Sequence, residues 1–120
     1  MPALEAYKRN LDYSYAPGMF PSMEAMKKVP HLVRRLLLSS KAAEGEGVEK
    51  LTALAKQNNI RIEIADKALS RISGKENCFA AAVFEKQPAA LQGCDHVVLH
   101  HISDAGNLGT ILRTALGLGF

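Results

Sequence analysis

The feature that most constrains this chain is a change of period near its middle. From Gly45 to Asn58, the apolar residues Val48, Leu51, Leu54 and Ala55 recur at helical spacing, forming a stripe on one side of an amphipathic helix. Glu46 and Lys50 add a favourable pair four residues apart, and Asn58-Asn59 supplies a C-terminal stop. Directly afterwards Ile60, Ile62 and Ile64 alternate with Arg61 and Glu63, the period of two of a half-buried strand. A helix that feeds a strand with no long loop between them must pack its apolar stripe onto the sheet that strand joins. The alternation argues for an α/β or α+β sandwich.

The rest of the chain continues the alternation. Pro21-Ser22 predicts the start of a helix with Ser22 as N-cap, carrying Met23, Met26 and Val29 and stopped by Pro30. Leu32–Leu38 reads as a strand with Arg34-Arg35 inside it. Asp66 to about Ile72 reads as a short helix, and Phe79–Phe84 as a third strand. That strand is rich in alanine, so something is expected to pack close against it. The fold class expected is α/β, a small mixed domain in which parallel pairs are bridged by helices. Residues 1–20 read as a loosely attached arm closed by Ala16-Pro17-Gly18, with Tyr7, Tyr13 and Tyr15 anchoring it or offering faces for base stacking. Residues 21–86 form the first domain and 87–95, with Pro88 and Gly93, the linker.

Composition narrows the function classes. At 120 residues and 48% hydrophobic, the chain is globular and long enough for one ordinary domain, or one small domain plus part of a second. No apolar run approaches a membrane span, and no secretory leader is legible. Cys78 and Cys94 form no CxxC pair, which disfavours a disulfide scaffold or zinc ribbon and points to reduced thiols in the cytoplasm. A net charge of +3 permits a polyanionic partner without demanding one. His96, His100 and His101 lack companions at tetrahedral spacing, so no metal site is expected.

The last quarter carries the chemistry. His96–Ile102 reads as a strand covered on both faces, running through Ser103-Asp104-Ala105-Gly106-Asn107 into a helix with Leu108, Ile111, Leu112 and Ala115 as its buried stripe. Asn107 lies at the N-terminal end of that helix, and Gly109, one turn before Arg113, shares a face with it. Free N–H groups, a positive dipole end and a planar guanidinium make an anion site. The same residues equally describe a helix capped by Asn107 with Arg113 as a solvated charge.

The run Asn107-Leu108-Gly109-Thr110-Ile111-Leu112-Arg113-Thr114-Ala115 resembles the first motif of SpoU-type (TrmH-like) RNA ribose methyltransferases of the SPOUT class, N-x-G-x-(I/L)-x-R-T-A. Residues 21–86 look like the substrate-binding domain of that family, which is similar to RNA-binding ribosomal proteins. Residues 96–120 would be the first strand and helix of the trefoil-knot domain. The resemblance implies transfer of a methyl group from S-adenosylmethionine to a ribose 2′-hydroxyl of ribosomal or transfer RNA. It places Arg113 and Asn107 at the reacting centre with Gly109 toward RNA, and RNA affinity in residues 21–86. The candidate cations there are Arg34, Arg35, Lys67 and Arg71, the last two one turn apart on the short helix, and Lys75 after it. The alternative is that most of them are solvated surface charges. It also implies a homodimer joined through the knot, with the cofactor site C-terminal to residue 120. On that expectation the chain is an N-terminal portion, inactive alone. The rival expectation is a non-catalytic RNA-binding module.

Overall fold

The computed structural model describes residues 3–42, 45–73 and 78–120. The elements in chain order are β1 (Tyr13–Pro17), α1 (Met19–Lys28), a 3-10 turn (Pro30–Leu32), β2 (Val33–Leu38), α2 (Glu46–Gln57), β3 (Arg61–Ile64), α3 (Asp66–Ser73), β4 (Ala80–Glu85) and α4 (Ala105–Gly117). The chain divides into two compact units, Met1–Gln87 and Pro88–Phe120. No helix among the described residues is long and apolar enough to cross a membrane.

The first unit is a four-stranded mixed sheet in the order β1-β4-β2-β3. β2 and β3 are parallel, joined by α2, while β4 runs antiparallel to both β1 and β2. The central strands β2 and β4 are covered on both faces, which is why Leu36–Leu38 and Ala80–Phe84 read as continuous apolar runs. On one face Leu36, Leu38, Ala80 and Ala82 meet Met26 of α1 and Leu51 and Ala55 of α2. On the other, Leu37, Ala81 and Val83 meet Leu69 of α3, with Leu4, Tyr13 and Tyr15 packed around them. Ala80, Ala81 and Ala82 are wholly buried, and their small size lets layers approach the sheet from both sides.

Three expectations change. Residues 1–20 are not a loosely attached arm. Tyr13–Pro17 is an edge strand, Tyr13 pairing with Glu85 and Pro17 with Ala81. Its apolar content is low because an edge strand buries less, so the pattern was weak. Tyr13 and Tyr15 meet edge to face with ring centroids 5.8 Å apart. The Tyr15 hydroxyl donates to the carbonyl of Glu5, and the Tyr13 hydroxyl accepts from the Glu5 N–H at 3.2 Å. The rings are therefore anchors. Tyr7 lies under the Lys86 ammonium at 4.7 Å, and that ammonium also donates to the carbonyls of Lys8 and Arg9.

Ser22 is not an N-cap. α1 begins at Met19 after Gly18, whose φ of 111° is open only to glycine. Ser22 is buried within the helix, and its hydroxyl donates to the Ala16 carbonyl at 3.0 Å. His96–Ile102 is not a strand: it pairs with no strand among the described residues, and Val97 and Val98 are exposed. A strand needs a neighbour for its N–H and C=O groups, and the only regular element in the second unit is α4. The helix expected after it is present as α4. Leu108, Ile111 and Ala115 of the anticipated stripe are half-buried, and Leu112 is exposed.

Candidate nucleic-acid interface and the motif helix

In the first unit, the candidate site starts from a β-bulge. Val33 of β2 pairs with Phe84, yet Arg35 pairs with the adjacent Val83, so Arg34 is an extra residue. The bulge breaks the alternation. Val33 faces the α1–α2 layer with Leu36 and Leu38, while Arg35 joins Leu37 on the opposite side. Arg34 is held by Asp12 at 3.2 Å and Glu85 at 3.1 Å, and lies 5.8 Å from the Tyr13 ring centre. Its hydrogen bond to Asp12, with help from Glu85, raises the guanidinium pKa further. Arg34 thus ties the β1, β2 and β4 ends together and lines a cavity of about 260 Å³ with Leu4, Tyr13 and Arg35.

Arg35 is 8% exposed and opens onto a second, larger groove of about 630 Å³. Parallel pairing sets Arg35 beside Arg61 and Leu37 beside Glu63. The Arg35 Nη1 donates to Glu63 Oε2 at 2.9 Å, and Arg61 Nη2 lies 3.6 Å from Glu63 Oε1. A single carboxylate therefore lies between two guanidinium groups. α3 forms the other wall and contributes Lys67 and Arg71, one helical turn apart. Lys67 and Arg71 are exposed, and neither has an ion-pair partner among the described residues.

Asp66 fixes the start of α3. Its Oδ1 accepts from the Ser39 hydroxyl at 2.9 Å and the Ser40 N–H at 3.0 Å, and its Oδ2 accepts from the Ser40 hydroxyl at 2.6 Å. These bonds, the Ser40 hydroxyl foremost, lower the Asp66 pKa below its usual value. The groove thus contains four cations, Arg35, Arg61, Lys67 and Arg71, against the two carboxylates Glu63 and Asp66.

Of the residues expected to face RNA, Arg35, Lys67 and Arg71 come together in this groove, while Arg34 is committed to structural ion pairs. Lys75 lies outside the described residues. Sequence reasoning did not select Glu63 or Asp66. The Ile60–Ile64 alternation does put Arg61 and Glu63 on one face, but their approach to Arg35 depends on the β2–β3 pairing.

In the second unit, α4 begins at Ala105 with Asp104 as N-cap, whose Oδ1 accepts from the Asn107 N–H at 2.8 Å. Asn107 is therefore not the cap. It occupies the first turn, exposed, with its backbone donor already used. A Cβ at Gly109 would meet nothing within 4 Å. Arg113 is exposed and has no ion-pair or hydrogen-bond partner among the described residues. Gly109 and Arg113 thus leave one face of α4 open, with the guanidinium free. His100 and His101 stack with ring centroids 3.9 Å apart. Among the described residues no three His, Cys, Asp or Glu side chains gather as a metal site.

Fold and site define a small mixed α/β unit with a cationic groove, followed by a unit whose capped helix presents an unengaged arginine. No family model matches the chain, and no curated protein matches it.

Proposed function

We propose that the chain belongs to an RNA ribose 2′-O-methyltransferase of the SpoU type, with Met1–Gln87 contributing RNA affinity and α4 contributing the reacting-centre arginine. The observation that carries this reading is the Asn107–Ala115 run, N-x-G-x-I-x-R-T-A, lying within one helix with Gly109 open and Arg113 free. Guanidinium stays protonated, so Arg113 acts as a cation rather than as a base. It holds an RNA phosphate and stabilises the negative charge that develops on the ribose oxygen, whose proton passes to solvent water. Asn107 orients the backbone or Arg113 from the first turn of the helix.

The methyl donor implied by this reading, S-adenosylmethionine, carries a sulfonium cation. The groove of the first unit, with its excess of arginine and lysine, does not suit it. No residue of this chain is assigned to the donor, and none to a dimer contact.

Single-turnover methyl transfer to RNA by the protein tests the reading. Arg113→Ala should slow transfer on the order of a hundredfold. Arg113→Lys should restore little, since it keeps the charge and loses the fork. A solvated helix arginine would instead tolerate both changes, and wild-type rates would remove Arg113 from the reaction. A second reading, a non-catalytic RNA-binding module, draws on the groove alone. It expects RNA binding with no methyl transfer at all.

A further inference from the structure

We propose that the groove between β3 and α3 binds an RNA phosphate through Arg61, Lys67 and Arg71, and that Glu63 is a built-in competitor holding its affinity low. The proposal rests on the RNA reading above and adds the residues and the sign of each contribution.

Arg35 is the buried member of the set, and Glu63 already engages its Nη1. Leaving a nearly buried guanidinium unpaired would be costly, so Glu63 first serves the fold. The same carboxylate spans toward Arg61 at a looser 3.6 Å, where a phosphate oxygen would otherwise sit. Arg61 is exposed and can turn away from Glu63 to an incoming anion. Lys67 and Arg71 face the groove with no carboxylate partner. Asp66 stays ionised but makes no ion pair with them, since its oxygens accept from Ser39 and Ser40.

The groove is also more than a charged strip. Leu4, Ala65 and Ala68 lie among the cations, giving apolar surface suited to the sugar that accompanies each phosphate in RNA. A small free anion gains nothing from that surface. The chemistry recognised is therefore a phosphodiester with its ribose, bound in a salt-sensitive way.

The test is fluorescence anisotropy of the 120-residue chain with a labelled single-stranded oligouridylate, across a salt series. Inorganic pyrophosphate serves as the comparison ligand. Arg61→Ala, Lys67→Ala and Arg71→Ala should each weaken RNA binding and lower the slope of log affinity against log salt by about 0.7, the loss of one phosphate contact on a single strand. Glu63→Gln should act oppositely, tightening binding about threefold to fivefold, the size of a partly exposed charge pair. Circular dichroism establishes that each variant is folded.

Unchanged binding in the three cation variants would overturn the proposal, as would a folded Glu63→Gln chain that binds no more tightly. Pyrophosphate binding as tight as RNA binding would reassign the groove to a free phosphate. If Glu63→Gln does not fold, the three exposed cation variants decide alone. Loss of the groove effect leaves the Arg113 methyl-transfer test standing. Failure of methyl transfer equally leaves this binding test standing.

Discussion

Leu36 and Leu37 are adjacent in β2, both wholly buried, and belong to cores on opposite faces of the sheet. Changing each to alanine separately tests the three-layer arrangement. Each change deletes three carbons, about 2.4 kcal/mol at ~0.8 per buried carbon. To this is added about 24 cal/mol for every Å³ of cavity that does not collapse. Leu36 is enclosed by Met26, Leu51 and Ala55, which lie on two helices and have little freedom to close in. Leu36→Ala should therefore cost about 3–4 kcal/mol. The cluster around Leu37 is smaller and includes Leu4, from a stretch without regular secondary structure that can settle into the void. Leu37→Ala should cost less, about 2–3 kcal/mol. Urea unfolding followed by circular dichroism measures both, and a shift of the midpoint at constant slope isolates stability. In a two-layer sheet one of these leucines would face water, and its replacement would cost less than about 0.5 kcal/mol. That result for either position would refute the reasoning.

Two further outcomes concern pH. Partial burial, reinforced by Tyr13, pushes the Tyr15 phenol from its ordinary 10.0 up to about 12. Its contribution to stability should be complete below the unfolded value and fall away as pH rises toward 12. In an absorbance titration at alkaline pH Tyr15→Phe should delete the phenol ionisation near pH 12, and an unchanged phase there would contradict this. Asp66 moves the other way, held below its ordinary 3.8 by the hydroxyl of Ser40 and then that of Ser39. The stability it supplies should be present above the unfolded value and disappear as pH falls through its folded one. Asp66→Asn should flatten that part of the acid stability curve, and a wild-type acid profile in this variant would exclude the clamp.

Local pattern was sufficient where one residue's neighbours along the chain decide its conformation. The Val48–Ala55 stripe specified α2, the isoleucine alternation specified β3, and the apolar runs within Leu32–Leu38 and Phe79–Phe84 specified strands. The Asn107–Ala115 run lay on a helix as its spacing required. Tertiary structure decided what depends on pairing. Tyr13–Pro17 became a strand because β4 offered it an edge, whereas the more apolar His96–Ile102 did not, lacking a partner strand among the described residues. β-structure is completed by hydrogen bonds to a distant segment, and side-chain pattern alone does not say whether that segment is there. The groove follows the same rule. Each of its cations was visible in the sequence, but the bulge at Arg34 and the register of β2 against β3 put Arg35, Arg61 and Glu63 side by side.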